Sequence, residues 1–312
     1  MATMTTLEEM ATLVDTEDSP SSVMLGQDHL TDDDLLADHV DVVLFETTTN
    51  CNLRCTYCAL SLPWYMGSDF DFSRIDKLVR EMVAANVKLV SISGHGETTV
   101  IPNWETYCKY FQDHGIEVSI TSNFSTIYSD SEIEAFARMA CITISIDTVD
   151  RELLRQVRRK VDLRTILYNM QRIRLKALAA YGREPNFNWQ CTLSDLVAPK
   201  LTEWVQMGLL NGVKNFTFGN LIEYKELPEL LARDGAMIPR HVARLEREPL
   251  LAACQTIADG VSLARKAGAN VVVQPGILEG INPRLRELGI NSPFTMGVPS
   301  RGTWIPHECS GD

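Results

Sequence analysis

Short apolar runs alternate with longer amphipathic stretches along the first two thirds of the chain. The runs are typical of buried β-strands, and the longer stretches repeat apolar positions at helical spacing. The predicted strands cover residues 42–47, 88–93, 117–121, 141–146, 187–193 and 213–218. The predicted helices cover residues 73–86, 103–114, 130–139, 150–181 and 199–210. This order predicts an α/β fold of parallel strands and right-handed crossovers, a partial (β/α)6 barrel of the TIM type.

The alternation becomes irregular after Gly219. Helix-like stretches near residues 238–247 and 250–267 precede one apolar run, Asn270 to Gln274, and an end that is punctuated by proline and glycine. We therefore divide the chain into three parts. These are an acidic N-terminal segment (residues 1–40), a barrel core (residues 41–219) and a C-terminal extension (residues 220–312) that is expected to cap the barrel mouth.

Composition is that of a soluble protein with a sizeable core. Hydrophobic residues make up 45% of the 312 residues, and no run approaches the roughly 18 apolar residues of a membrane span. Residues 1–26 lack the basic and apolar regions of a secretory signal. We expect a cytoplasmic protein without a membrane partner. Nucleic acid is not expected as a partner either, because no basic patch is interleaved with aromatic residues.

Acidic residues are concentrated at the N-terminus. Residues 1–50 hold twelve of the 41 acidic residues and no Lys or Arg, and the first basic residue is Arg54. The rest of the chain is balanced, so the formal charge of −12 belongs to this segment. A solvated tail is the simplest interpretation, and weak attraction of a cationic substrate is the functional alternative.

Three cysteines follow the first predicted strand in one short loop. Cys51, Cys55 and Cys58 have the spacing C-x3-C-x2-C within CNLRCTYC. One loop with this spacing can wrap three thiolates around an iron–sulfur cubane, which leaves one iron without a protein ligand. Zinc is the alternative, but structural zinc takes four protein ligands and no second C-x2-C pair is present. Disulfides are disfavoured because the chain's eight cysteines occur without a secretory signal.

This array resembles the radical S-adenosylmethionine (SAM) superfamily, and Tyr57 directly before the third cysteine matches it as well. The resemblance implies one 4Fe-4S cluster that is held by the three cysteines and chelates SAM on its open iron. Reduction by an external one-electron donor of the flavodoxin or ferredoxin type then releases a 5′-deoxyadenosyl radical. The core of the superfamily is a partial barrel with its chemistry at the carboxyl ends of the strands, where the cysteine loop falls.

The end of the second predicted strand carries Gly94-His95-Gly96-Glu97, which resembles the family's GGE motif. The resemblance implies that Gly96 lets the backbone approach the methionine part of the cofactor and that Glu97 accepts a hydrogen bond from its α-amino group. His95 replaces the first glycine of the motif. An ordinary hydrogen-bonded histidine is favoured over a contact with substrate or cofactor.

Later strand ends carry further candidates for the cofactor site. Ser122 and Asn123 end the third strand, and Ser145 and Asp147 end the fourth. The resemblance implies contacts with the ribose or carboxylate of SAM, and turn formation is the alternative. Arg158 is the candidate to pair with the methionine carboxylate through its planar fork. Its alternative is a solvated basic helix face.

Only Cys254 and Cys309 lie in the extension, whereas an auxiliary 4Fe-4S cluster takes about four thiolates. Without that electron acceptor we expect a redox-neutral reaction in which a thiol, with its weak S–H bond, returns a hydrogen atom. Cys254 is the candidate donor. The alternative is core packing, because Leu250, Ile257 and Val261 share its helical stripe. Core packing is also expected for Cys108, Cys141 and Cys191.

The chain length, the shortened C-terminal region and Cys254 resemble the aminoglycoside-tailoring branch of the superfamily, of the neomycin C epimerase type. The resemblance implies abstraction of a hydrogen atom from a sugar carbon and its return from the opposite face, as in conversion of neomycin C to neomycin B. A cationic aminoglycoside would suit Glu223, Glu226 and Glu229. Two alternatives stay open. One is a radical SAM dehydrogenase or peptide-modifying enzyme with an auxiliary cluster, and the other is a non-enzymatic metal site.

Overall fold

Successive strands pair in parallel, in chain order, in one open sheet that has seven strands in the described part of the chain. The computed structural model describes residues 40–61, 65–220 and 247–273. The strands are Val42–Phe45 (β1), Leu89–Ile92 (β2), Glu117–Ser122 (β3), Cys141–Ser145 (β4), Phe187–Leu193 (β5), Asn215–Asn220 (β6) and Asn270–Val273 (β7). The predicted α/β fold is confirmed, and the open sheet is that of a partial barrel.

Helices alternate with the strands. The α-helices are Ile75–Ala84 (α1), Trp104–Asp113 (α2), Asp130–Arg138 (α3), Arg151–Arg158 (α4), Leu163–Tyr181 (α5), Leu201–Leu210 (α6) and Arg247–Lys266 (α7). Short 3-10 segments are Ala59–Ser61, Phe72–Arg74, Thr98–Val100 and Ala198–Lys200. None of the helices described here has both the length and the apolar character that a membrane span needs.

The predicted single helix over residues 150–181 is two helices. α4 ends at Arg158, and the next two residues, Arg159 and Lys160, have φ angles of 46° and 51°. The Asp162 side chain then accepts a hydrogen bond from the Arg164 N–H and caps the start of α5. The prediction was wrong here because apolar periodicity continues across the break, whereas the capping aspartate marks a new helix start.

One face of the sheet is apolar and lies against the helices. The outward residues of β5 are at most 2% exposed, namely Phe187, Trp189, Cys191 and Leu193. Trp204 of α6 packs on this face, with its ring centroid 5.5 Å from that of Trp189 and 5.3 Å from that of Phe216 in β6. Toward the other edge of the sheet, on the same face, Phe111 of α2 packs on Phe45 of β1, with a centroid distance of 5.9 Å. The core therefore lies between this face and the helix layer.

The opposite face, called the inner face below, carries neutral polar side chains in β4, β5 and β6. These half-buried residues are Thr143, Ser145, Asn188, Gln190, Thr192, Asn215 and Thr217. Parallel strands that are covered on both faces are usually continuous apolar runs. Strict alternation of apolar and polar residues here indicates that the described helices cover only the apolar face. Within the described part of the chain the inner face is therefore a polar surface that a ligand can reach.

The C-terminal part of the described chain extends the sheet. α7 packs against α6 and the 198–200 turn, and β7 pairs with β6. The apolar run that the sequence shows at Asn270 to Gln274 is this seventh strand, and its register with the sixth follows from the fold rather than from any local pattern. Several predicted features lie outside the described residues: the acidic segment up to residue 39, Glu223, Glu226, Glu229 and Cys309.

Candidate active site

The loop after β1 brings the three motif cysteines to the carboxyl-terminal edge of the sheet. Cys51, Cys55 and Cys58 are each half-buried. The loop closes on itself, because the Cys58 N–H donates to the Cys55 carbonyl at 3.2 Å and the Ser61 N–H donates to the Cys58 carbonyl at 2.9 Å. This is the edge at which parallel α/β folds place their chemistry.

The segment leading into the motif is fixed from two sides. Thr48 Oγ1 donates to Asp69 Oδ1 at 2.5 Å, and Asn50 Nδ2 donates to the same oxygen at 2.8 Å. On the other side the Glu97 N–H donates to the Asn50 carbonyl at 2.8 Å. A Cβ on Gly96 would lie 2.3 Å from the Thr48 carbonyl oxygen, so only glycine fits this contact. Gly96 therefore seats the cysteine loop, and its predicted contact with the cofactor stays a prediction.

The Glu97 carboxylate joins the end of β2 to the end of β3. Its Oε2 accepts the Asn123 backbone N–H at 2.7 Å. Its Oε1 accepts the Thr99 hydroxyl at 2.9 Å and the Thr99 N–H at 3.3 Å. The side chain is 3% exposed, and this burial raises the pKa of the carboxyl. Glu97 stays a predicted cofactor contact, and the structure adds its role in joining two strand ends.

Asn52, which sequence reasoning missed, ties the cysteine loop to the end of β3. Asn123 Nδ2 donates to Asn52 Oδ1 at 2.9 Å, and Asn52 Nδ2 donates to Ser125 Oγ at 3.0 Å. Ser122 is buried beside them, and its hydroxyl shares a 3.0 Å hydrogen bond with the Tyr128 hydroxyl. Asn123 therefore contacts the cysteine loop directly, with Ser122 beside it in the chain, and the predicted cofactor contacts of both residues stay predictions.

The buried carboxylate of Asp147 forms hydrogen bonds with the cysteine loop, with β5 and with the end of α4. Asp147 Oδ2 accepts the Tyr57 hydroxyl at 2.8 Å and Arg158 Nε at 2.8 Å. Asp147 Oδ1 accepts Arg158 Nη2 at 3.0 Å and the Thr192 N–H at 3.0 Å. The side chains of Arg158 and Asp147 are 9% and 0% exposed. We call Tyr57, Asp147 and Arg158 the carboxylate clamp.

The clamp changes the interpretation of Arg158. Two of its three guanidinium nitrogens bind Asp147, so the edge of the fork formed by Nε and Nη2 already pairs with a protein carboxylate. The alternative of a solvated basic face is wrong, because the residue is 8% exposed. The predicted pairing with the methionine carboxylate stays a prediction, and it would use the three remaining N–H groups, one on Nη2 and two on Nη1. No local pattern signalled the pair, since its members are eleven positions apart.

The end of α4 is also a docking point for the cysteine loop. The last carbonyls of a helix have no partner within the helix. Here the Val157 carbonyl accepts the Thr56 N–H at 2.9 Å and the Thr56 hydroxyl at 3.1 Å. The Cys55 thiol lies 3.8 Å from the Arg158 carbonyl oxygen. The break after Arg158 is therefore part of the site.

The three thiols suit a cluster better than a single ion. Burial raises the pKa of the Cys55 thiol to about 12 and also raises the pKa values of Cys51 and Cys58. Binding of a metal group therefore displaces protons from this loop. The donor set is three thiols, which fits a 4Fe-4S cluster with one iron left without a protein ligand, whereas structural zinc takes four protein ligands.

The other cysteines lie apart from this edge. Cys254 is 0% exposed on the buried stripe of α7, together with Ile257 and Val261. This is the position that the packing alternative predicts, and it lies in the helix layer rather than among the strand ends. Cys108 and Cys191 are buried in the core as predicted, and Cys141 is half-buried on β4.

His95 and Ser145 are both accessible at the site. The His95 N–H donates to Glu46 Oε1 at 2.6 Å, and its Nδ1 lies 3.2 Å from the same oxygen. The histidine side chain is 69% exposed, and its contact with Glu46 agrees with the favoured interpretation of an ordinary hydrogen-bonded residue, which stays a prediction. Ser145 is half-buried on the inner face, one row below Asp147. Its predicted contact with the cofactor stays a prediction.

The described sheet carries a three-cysteine loop after its first strand and a glycine–carboxylate pair after its second. Residues 45–179 match the family model described as the Radical SAM superfamily. This part of the chain, less than half of the 312 residues, is therefore similar to radical SAM domains, and the cofactors of that family are a 4Fe-4S cluster and SAM. Both fit the donor set and the buried loop described above.

Curated relatives match only part of the chain. A probable GTP 3',8-cyclase of Pyrococcus abyssi is 26% identical over 110 residues, which cover 35% of this chain and 36% of the relative. A GTP 3',8-cyclase of Chlorobaculum tepidum is 29% identical over 125 residues, which cover 39% of this chain and 37% of the relative. The match thus spans well under two thirds of either cyclase.

Solved structures with the same fold cover more of the chain. Streptococcus suis SuiB aligns with a TM-score of 0.58 and 15% identity over 82% of this chain and 54% of SuiB. The protein anSMEcpe, solved with bound AdoMet and the Cp18Cys peptide, aligns with a TM-score of 0.56 and 16% identity over 80% of this chain and 67% of that one. At these identities the likeness establishes the fold alone.

Proposed function

We propose that this protein is a radical SAM enzyme that inverts one carbon of an aminoglycoside sugar, an epimerisation of the neomycin C to neomycin B type. The observation that carries this assignment is the inner face, which presents neutral hydroxyl and amide groups. None of the described strands contains Lys or Arg. A substrate rich in hydroxyl and amino groups finds donors and acceptors there and no opposing cation.

The residues of this chain position the chemistry. When bound, the cluster and SAM supply a radical that removes a hydrogen atom from an unactivated C–H bond. Gly96, Asn52 and the carboxylate clamp fix the cysteine loop at the carboxyl edge of the sheet. The inner face below that edge orients the sugar, so that one C–H bond points at the reactive group.

Inversion needs a second hydrogen atom, delivered from the opposite face of the sugar carbon. A thiol is the best protein donor because its S–H bond is weak, and one electron and one proton from an external donor of the flavodoxin or ferredoxin type restore it. Cys254 is the proposed donor. It is 0% exposed on α7, a helix that packs against α6. A donor role therefore requires the sugar to come within reach of a thiol that the helix layer now covers.

Turnover of neomycin C in deuterated water tests the donor. We expect one deuterium at the inverted carbon, because the thiol proton exchanges with solvent before the hydrogen atom is transferred. The variant Cys254→Ala should form deoxyadenosine without epimer. Mass spectrometry and NMR of the sugar read both outcomes. Cys108→Ala, at a buried thiol on α2, is the matched control and should still epimerise. Epimer formed at the wild-type rate by Cys254→Ala would remove this thiol from the mechanism.

Iron content separates the main alternatives. We expect about four irons per chain after anaerobic reconstitution, one cluster on Cys51, Cys55 and Cys58. About eight irons would favour the alternative of a dehydrogenase or peptide-modifying enzyme with an auxiliary cluster. Loss of all iron in a Cys55→Ala variant checks that the motif holds the first cluster. Iron-to-protein ratios provide the measurement.

Similarity to GTP 3',8-cyclases does not assign GTP to this chain. A nucleoside triphosphate is normally recognised by arginine or lysine side chains that pair with its phosphates. The strands in residues 40–61, 65–220 and 247–273 offer neither residue type on the inner face. Binding of GTP by the reconstituted protein, with no binding of neomycin C, would replace the sugar assignment.

A further inference from the structure

On the inner face of β5 the side-chain amide of Gln190 has no hydrogen-bond partner among the described residues. Gln190 is half-buried and lies in register with Ser145 of β4 and Thr217 of β6. The amide one row below, that of Asn188, is paired within the sheet. Asn188 Nδ2 donates to Thr143 Oγ1 at 3.2 Å, and Asn188 Oδ1 accepts from Thr217 Oγ1 of the Gln190 row at 3.2 Å. The Gln190 amide makes no such bond among the described residues, so its two donors and its carbonyl are available to a ligand.

A second side chain at the end of the same strand is fully buried and unpaired. Ser194 follows β5 by one residue and is 1% exposed, and its hydroxyl has no hydrogen-bond partner among the described residues. Such a group is rare in native proteins, because its desolvation is not compensated. The Thr192 N–H, two residues earlier, donates to Asp147. Ser194 is therefore at the strand end to which the carboxylate clamp is hydrogen-bonded, at the carboxyl edge of the sheet.

We infer that Gln190 and Ser194 form a hydroxyl-recognition site on β5. Both side chains are neutral, and both can donate and accept hydrogen bonds, as sugar hydroxyl and amino groups also can. Anionic ligands would call for a cation, and none is present on the described strands. Two ligands share this chemistry: the ribose of SAM and the sugar of the substrate. Recognition of the substrate sugar rests on the proposed function, whereas recognition of the SAM ribose requires only that the protein binds SAM.

Two variants test the site, each with a matched control. Gln190→Leu keeps the side-chain volume and removes the amide, and Ser194→Ala removes the hydroxyl. The controls are Gln171→Leu at an exposed position of α5 and Ser262→Ala at a half-buried position of α7. Titration calorimetry of the anaerobically reconstituted protein gives the dissociation constants of SAM and of neomycin C. Thermal unfolding of the apoprotein gives Tm for every variant.

We expect each test variant to weaken one of the two ligands by about twofold to tenfold, the worth of one neutral hydrogen bond. Weaker SAM binding identifies the ribose as the ligand. Weaker neomycin C binding with SAM unchanged identifies the substrate sugar. Ser194→Ala should also raise the Tm of the apoprotein, because it removes an unpaired buried hydroxyl.

Two results would contradict the inferred hydroxyl-recognition site. If the wild type binds both ligands and neither variant changes either dissociation constant, a change in Tm alone reveals a structural role and the inference is wrong. If the wild type does not bind neomycin C, the proposed function fails and the SAM titration alone decides. Unchanged SAM binding in both variants then overturns the site.

Discussion

Replacement of Asp147 by alanine should lower the free energy of unfolding by about 3 to 5 kcal/mol and abolish SAM cleavage. The reason is the Arg158 guanidinium, which would stay buried without its partner carboxylate. The pair is bidentate and its side chains are 9% and 0% exposed, so water cannot replace the lost oxygens. Chemical denaturation of the apoprotein measures the first effect, and deoxyadenosine formation by the reconstituted protein measures the second.

A surface pair provides the control for charge removal. Arg174 and Glu184 are joined at 2.7 Å, but their side chains are 38% and 39% exposed. Glu184→Gln should therefore change stability by less than about 1 kcal/mol and leave SAM cleavage intact. The double variant Asp147→Asn with Arg158→Met should recover much of the lost stability, because no unpaired charge remains. It should not recover SAM cleavage if the clamp positions the loop.

Tyr57→Phe separates positioning from stability. This change removes one hydrogen bond to Asp147 and keeps the ring, so a loss of about 1 kcal/mol is expected. A positioning role predicts a changed electron paramagnetic resonance spectrum of the reduced cluster in the presence of SAM. An unchanged spectrum, with wild-type SAM cleavage in both Tyr57→Phe and Asp147→Ala, would limit the clamp to a structural role.

Local patterns in the sequence predicted the secondary-structure elements and those site residues that are close together in the chain. The cysteine loop, the glycine–carboxylate pair and the first six strands each depend on spacing within a few residues, and all lie where they were expected. Spacing of that kind is a property of the backbone, so it survives without knowledge of tertiary contacts. The same reasoning placed Cys254 on an apolar helical stripe, where the structure has it.

Contacts between distant segments were beyond those patterns. Asn52 and Asn123 are 71 positions apart, and no periodicity links them. The Asp147–Arg158 pair needs a strand end, a helix and a break after it to meet. The reason for Gly96 is likewise tertiary, since its neighbour is the backbone at Thr48 rather than a nearby turn. Such contacts depend on the folded arrangement of loops, which the order of residues does not display locally.

Gly96→Ala should reduce cluster content at least tenfold and destabilise the apoprotein by about 1 to 3 kcal/mol. The added Cβ would lie 2.3 Å from the Thr48 carbonyl oxygen and 2.6 Å from that of Asn50. Both atoms belong to the backbone, so the clash is relieved only if the cysteine loop moves away from β2. That movement breaks the bond from the Glu97 N–H to Asn50 and displaces Cys51. Iron-to-protein ratio and thermal unfolding measure the two effects.

Gly260→Ala is the matched control, because the same added methyl group makes only ordinary van der Waals contacts there. Its Cβ would lie 3.4 Å from Leu201 Cγ, an ordinary van der Waals distance, within helix α7. Alanine is favoured over glycine in a helix, so this variant should gain about 0.5 to 1 kcal/mol and hold a full cluster. The two substitutions therefore act on stability with opposite sign. A Gly96→Ala protein with wild-type iron content would mean that the loop is set by Asn52 and the clamp alone, whose contacts on β3 and α4 do not involve this glycine.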